Sequence, residues 1–165
     1  TPKSLLRNPA AFSALRELAE GGWQPVLDDP AVDRRDGVRR LVLCTGKVYY
    51  DAVADERRGH ARDLAIVRVE ELYPFPAEEL RAVFEGYPAV EEVIWLQEEP
   101  QNMGAWTYIR PRLEELIGGR WPLRYIGRPP ASSPAEGTMA QHQANQRAII
   151  EQLYAPRQIP VPTGR

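Results

Sequence analysis

Along the chain, short unbroken apolar runs alternate with stretches in which apolar residues recur every three or four positions. The runs are Leu41-Val42-Leu43-Cys44, Leu64-Ala65-Ile66-Val67-Arg68-Val69, Val93-Ile94-Trp95-Leu96 and Leu123-Arg124-Tyr125-Ile126. Runs with so few polar members suit strands covered on both faces, as in a parallel sheet. Each is followed by a segment at helical spacing: Val48, Tyr49, Ala52 and Val53; then Leu80, Val83, Phe84 and Tyr87; then Trp106, Ile109, Leu113, Leu116 and Ile117; and finally Met139, Gln146, Ile149, Ile150 and Leu153. Four such strand-helix steps predict an α/β fold, a three-layer α/β/α domain with a mainly parallel sheet and right-handed crossovers.

Punctuation sharpens the boundaries. Asn8-Pro9 is a helix start, followed by Phe12, Leu15, Leu18 and Ala19 at helical spacing and closed by Gly21-Gly22. Residues 23–38 carry Pro25, Asp28, Asp29, Pro30, Asp33 and Asp36-Gly37, which break any period and predict a surface loop. In Leu72-Tyr73-Pro74-Phe75-Pro76 the two aromatics are expected in a buried corner. Pro111 must either kink its helix or mark where the regular part begins. Thr138 followed by Gln141 has capping-box spacing for the last helix. The expected organisation is a connecting segment with one helix and a loop over 1–38, the α/β domain over 39–155 and a Pro-rich tail over 156–165. A chain opening on Thr1 without an initiator Met is expected to be a piece of something longer.

The stretch from Val93 to Trp106 concentrates the candidate chemistry. Its apolar run stops at Gln97-Glu98-Glu99-Pro100 and restarts after Gly104, so a polar turn is expected at the carboxyl end of a strand. Open α/β sheets receive ligands and partners at that edge, which makes Gln97, Glu98, Glu99 and Asn102 candidates for an interface or for the rim of an active site. The loop after the fourth strand adds Arg128 and Ser133, and the first turn of the last helix adds His142 as a surface or interface hydrogen-bonding group. Arg128 and Ser133 are expected at the same sheet edge as Gln97 to Asn102, with Arg128 paired to Glu98 or Glu99.

Composition removes other classes. Lys and Arg number 21 against 23 Asp and Glu, a net charge of -2, and no long basic run argues for nucleic acid or a membrane surface. No stretch approaches the roughly 20 apolar residues of a membrane span. The single cysteine, Cys44, ends an apolar strand and is expected to be a buried thiol in a reducing, cytoplasmic protein. Two histidines and one cysteine provide no zinc-type ligand set. Gly46-Lys47 follows a strand, but Leu41 and Val48 stand where a phosphate loop requires Gly and a hydroxyl, and no dinucleotide fingerprint is present. No nucleophile, base and orienter can be assembled from these residues, and no catalytic, cofactor-binding or metal-binding residue is expected in this chain.

Several stretches taken together resemble the carboxy-terminal domain of the 2-oxoglutarate dehydrogenase first component, a thiamine diphosphate-dependent decarboxylase. They are Thr1-Pro2-Lys3-Ser4-Leu5-Leu6-Arg7, Cys44-Thr45-Gly46-Lys47-Val48-Tyr49-Tyr50, Ala65-Ile66-Val67-Arg68-Val69-Glu70 with Leu72-Tyr73-Pro74-Phe75-Pro76, and Gln97-Glu98-Glu99-Pro100 with Asn102 and Gly104-Ala105-Trp106. Arg124-Tyr125-Ile126-Gly127-Arg128-Pro129, then Ser133-Pro134-Ala135 with Gly137 and His142, complete a set that keeps the family's order from residue 1 to about 154.

The resemblance implies a sheet of about five strands with one antiparallel member, similar to the transketolase carboxy-terminal fold, which leaves one strand uncounted here. It implies a parent enzyme of the tricarboxylic acid cycle that decarboxylates 2-oxoglutarate and passes the succinyl group to a lipoyl arm. Thiamine diphosphate and magnesium would be held by earlier domains and not by this fragment. The partners implied are the remaining domains of the parent chain, a homodimer partner and the lipoyl-bearing succinyltransferase component. The fragment's own role would be architectural, with Glu98, Glu99 and Asn102 at an interface. Some members of the family respond to acyl-CoA through arginines just after the Pro-x-Pro link, where this chain has Ala77-Glu78-Glu79. Alternatives are the corresponding domain of another thiamine-dependent enzyme, or a free-standing effector-binding or interaction domain rimmed by the loops after the first, third and fourth strands.

Overall fold

The computed structural model describes residues 3–156. Thr1 and Pro2 of the first motif, and the tail from residue 157 on, lie outside the described residues. Five strands form one sheet: β1 (Val26–Leu27), β2 (Arg40–Cys44), β3 (Leu64–Val69), β4 (Glu92–Pro100) and β5 (Leu123–Arg128). Their order is β1-β3-β2-β4-β5, all parallel except β1, which runs antiparallel to β3. The helices are α1 (Leu15–Glu20), α2 (Val48–Val53), α3 (Ala77–Gly86), α4 (Trp106–Ile117) and α5 (Met139–Tyr154).

Side chains alternate across the pleat, and each face has its own core. Leu41, Leu43, Ala65, Val67, Val93 and Trp95 meet Leu80 and Phe84 of α3 and Ile109, Leu113 and Ile117 of α4. Val42, Cys44, Ile66, Ile94, Leu96 and Ile126 meet Val48 and Ala52 of α2 and Ile149, Ile150 and Leu153 of α5. Three layers result, and the middles of the central strands are apolar because both of their faces lie under helices.

The strand absent from the hydropathy pattern is β1, two residues inside the expected loop over 23–38. Val26 pairs with Val69 and Leu27 with Arg68, while the N–H groups of Glu70 and Glu71 both donate to Pro25 O. Beyond it, Asp29 is almost wholly buried and accepts from Ile66 N at 2.6 Å, Arg58 Nη2 at 2.6 Å and Ala31 N at 3.0 Å. A two-residue strand leaves no period to detect, and it is these long-range bonds that hold it. The sheet therefore reaches back into the segment 1–38.

Other expectations are corrected. Asn8 does accept from Ala10 N, but it begins only a 3-10 turn over Pro9–Ala11, and Phe12 is extended before α1 starts. Tyr73 is exposed, with only Phe75 partly packed on the core. α4 runs on both sides of Pro111. The capping box at α5 is half made: Thr138 Oγ1 accepts from Gln141 N, whereas the Gln141 side chain donates to Asn145. The far end of α5 is closed by buried Arg40, whose Nη1 donates to Leu153 O and Ala155 O while its Nε donates to Asp63.

Candidate functional site

β4 does not stop at Leu96. A register shift after Leu96 lets it continue to Pro100, which stands opposite Arg128, and Gln101 N donates to Arg128 O. Gln97, Glu98 and Glu99 thus sit on an irregular strand end instead of a turn, and the turn proper is Gln101 to Ala105, with Gly104 at φ +64°.

Gln97 is buried and its amide is fully used inside this turn. Its Oε1 accepts from Trp95 Nε1 and Trp106 N, each at 3.1 Å, so a strand residue caps the first N–H of α4. Its Nε2 donates to the carbonyls of Glu99, Pro100 and Met103. No polar atom of the Gln97 side chain remains for a ligand. Asn102 is equally committed: it donates to Ala131 O at 2.9 Å and accepts from Ala131 N at 3.0 Å, clamping the loop after β5 to the loop after β4. Ser133 donates to Ala135 O and accepts from Ala135 N, closing a local turn. Gly127 is required where β5 crosses this turn, because a Cβ there would lie 2.3 Å from Tyr125 Oη and 2.6 Å from Gln97 O.

Glu98, Glu99, Arg128 and His142 do share one cleft, of about 500 Å³, with Lys47 and Ser4. Arg128 does not pair with either glutamate of β4. It bonds Glu136 of the loop after β5, Nη1 to Oε1 at 2.8 Å, with the two side chains only 9% and 13% exposed. Glu136 reaches Arg128 because Asn102 folds that loop back over the strand end. The other Arg128 nitrogen, Nη2, meets His142 Nδ1 at 3.2 Å and Gln146 Oε1 at 3.4 Å, and Arg128 Nε is buried without a hydrogen-bond partner. Gln146 Nε2 in turn donates to Asp51, which pairs with Lys47. One network thus ties α2, β5 and α5 together.

The electrostatics follow from these contacts. The Asn145 amide, then His142 and Arg128, hold the Glu136 carboxyl below its ordinary range. Burial pushes Glu98 above its ordinary range, partly offset by Lys47 and reinforced by Glu99 and Asp51. Burial raises Tyr125 to about 12, and its hydroxyl sits against the carbonyls of Glu99 and Arg128. Cys44 is fully buried and its thiol is pushed up, so it is a core atom and no nucleophile. At this edge Arg128 is paired with Glu136 and Lys47 with Asp51, while burial works against the charge of Glu98. Sequence reasoning missed Glu136, Asn145, Gln146, Lys47 and Asp51. Only the i, i+4 spacing of Lys47 and Asp51 was a usable signal.

Among the described residues no three His, Cys, Asp or Glu side chains converge as a metal set. The residues here do not fit a magnesium-pyrophosphate group, and no chemical step is assigned to this chain through one. No helix among the described residues is long and apolar enough to cross a membrane.

Fold and edge together define a three-layer α/β domain whose mainly parallel sheet ends in a cleft lined by charged side chains. Residues 12–154 match the family described as 2-oxoglutarate dehydrogenase C-terminal, and the chain belongs to that family. It is 48% identical over 158 residues to the 2-oxoglutarate dehydrogenase E1 component of Exiguobacterium sp., covering 94% of this chain and 17% of that protein. With the E1 component of Cupriavidus necator the identity is 42% over 155 residues, covering 94% and 16%. The chain thus spans about one sixth of the length of these relatives. A solved structure titled as a split-gene transketolase, inactive β4 tetramer, aligns with a TM-score of 0.47 at 14% identity, covering 80% of this chain and 45% of that one.

Proposed function

We propose that this chain is the carboxy-terminal domain of a 2-oxoglutarate dehydrogenase first component, and that its parent decarboxylates 2-oxoglutarate and transfers the succinyl group to a lipoyl arm in the tricarboxylic acid cycle. The observation that carries this reading is the 48% identity, extending over 94% of the chain, to a protein of that name. Thiamine diphosphate and magnesium then act in earlier domains of the parent. This domain contributes architecture: contacts to those domains, to a homodimer partner and to the lipoyl-bearing succinyltransferase component. A cytoplasmic, reducing location accords with the one buried thiol.

Glu98, Glu99 and the Arg128–His142 group are the contact residues on this reading, since they line an open cleft at the strand ends. Gln97, Asn102 and Ser133 support them from behind through hydrogen bonds that are already complete.

The test is turnover by the full-length protein with thiamine diphosphate and magnesium, followed by ferricyanide reduction with 2-oxoglutarate or pyruvate as substrate. Reduction with 2-oxoglutarate well above that with pyruvate is expected. Preference for pyruvate, or no reduction with either, would replace this reading with another thiamine enzyme or a free-standing domain.

A further inference from the structure

Among the described residues, the exposed large apolar side chains are Leu6, Phe12, Leu15, Leu18, Trp23, Tyr73 and Met139. The first five are between 64% and 86% exposed, and Leu6 and Phe12 border one cleft while Phe12, Leu18 and Trp23 border the next, so this is a patch and not the single scattered side chains normal on a surface. α1 buries none of its residues. Leu15 and Leu18, one turn apart, stand on one face of that helix with Phe12 just before it. A helix of this length is far below what holds together alone in water, and its apolar face adds nothing to either core.

Three charged side chains of α1 are bonded within the helix and its cap. Arg16 pairs with Glu20 at 2.8 Å, and Glu17 accepts from Ala14 N at 2.8 Å. The most exposed large side chains on this face are apolar, so the surface suited to it is apolar. Beside α1 lies a cleft of about 700 Å³ bounded by Phe12, Leu18, Trp23, Tyr49, Tyr50 and Arg68. Its wall is firm: the Arg68 guanidinium lies 4.6 Å from the Tyr49 ring centre and donates to Tyr50 Oη at 3.1 Å.

We infer that this face, Leu6, Phe12, Leu15, Leu18 and Trp23, is the seat on which the preceding part of the same polypeptide docks. The inference rests on the proposed function in taking the chain as one domain of an E1 component. The family is described as C-terminal and its members are about six times as long as this chain, so most of the polypeptide precedes the domain. A tethered segment reaches the patch at an effective concentration of roughly millimolar. A second copy has no such advantage.

The test uses the full-length protein carrying the photo-crosslinker p-benzoylphenylalanine at Leu15, with Glu79, an exposed position on α3, as control. After illumination, the Leu15 variant is expected to keep its single-chain mass on a denaturing gel. Its crosslinked peptides should join residue 15 to sequence that precedes this domain, at several times the yield of the control. A band of doubled mass, a crosslink to a different polypeptide, equal yields at both positions, or no crosslink would overturn the inference. Turnover of 2-oxoglutarate is measured on the same preparations before illumination. An active protein without the crosslink refutes the docking face alone, and a crosslinked protein that never turns over 2-oxoglutarate refutes the functional reading alone.

Discussion

Arg128 at the end of β5 and Glu136 in the loop that follows form a nearly buried ion pair, and the pair is what holds the rim of the sheet together. Glu136 also accepts from Asn145 of α5 at 2.9 Å, so a single carboxylate joins strand, loop and helix. Removing it leaves a buried guanidinium with an already unbonded Nε and no ion-pair partner. Glu136→Ala is expected to lower stability by about 3 kcal/mol, as breaking one partner of a buried pair commonly does. The double change Arg128→Met, Glu136→Leu should cost less than the sum of the single changes, since no lone charge remains. Urea denaturation of the parent, Glu136→Ala, Arg128→Met, Glu136→Leu and the double variant measures both.

The same pair sets an acid limit. Glu136 titrates below its unfolded value, so its contribution is present above the ordinary carboxylate pKa of about 4.3 and is lost as pH falls through the folded value. Urea midpoints followed downward from pH 6 should show Glu136→Gln less stable than the parent at pH 6, with the gap narrowing only as pH falls below the ordinary carboxylate value of about 4.3.

Glu98 has the opposite sign. Its folded pKa is raised by burial, so the folded protein binds the proton more tightly than the unfolded chain, and stability falls as pH rises from about 4.3 through the raised value. Glu98→Gln is expected to stabilise the domain at pH 7 and to leave it unchanged at pH 3.5. A loss at pH 7, seen in thermal melts, would mean that Glu98 has a favourable partner here.

Gln97 bonds two donors and three carbonyls in one turn. Gln97→Ala orphans them and is expected to cost about 3 kcal/mol. Gln97→Glu keeps the shape but turns an acceptor toward three carbonyl oxygens, so it should be at least as damaging at pH 7. Trp95 and Trp106 lie against this amide, and their fluorescence reports the change directly. In the same turn, Gly127→Ala is expected to cost about 2 kcal/mol, because the methyl group meets a backbone carbonyl that cannot move without breaking the β4–β5 register.

At the start of α3, Glu78 is exposed and pairs with Arg81 at 2.7 Å, and Glu79 is exposed beside it. Two carboxylates suit a helix start and repel phosphate. Unit charges ~6 Å apart at an effective dielectric of ~20 repel by nearly 3 kcal/mol, or about a hundredfold in affinity. Acetyl-CoA is therefore expected to leave turnover by the full-length protein unchanged. Activation of the wild type that disappears in the E78R, E79R double variant would show the reverse.

The apolar runs around Leu43, Ile66, Ile94 and Ile126 and the periodic segments between them determined by themselves the four parallel strands, their helices and the three layers. Burial on two faces writes itself into local composition. The motifs likewise carried the family. The sequence also marked the edge at Gln97 to Asn102 and at Arg128, because polar residues that interrupt buried strands must sit at their ends. It could not determine who bonds whom there. Glu136, rather than Glu98 or Glu99, takes Arg128 because Asn102 folds the loop back over the strand end, and that is a contact between residues 29 positions apart. β1 was invisible for the same reason: two residues have no period, and the Ile66, Glu70 and Glu71 amides that bond Asp29 and Pro25 on either side of it lie far along the chain. The pattern of Phe12, Leu15 and Leu18 predicts an amphipathic face, but only the tertiary structure decided that neither core covers it. Periodicity records that a face is apolar, and what buries it depends on surfaces brought together from elsewhere.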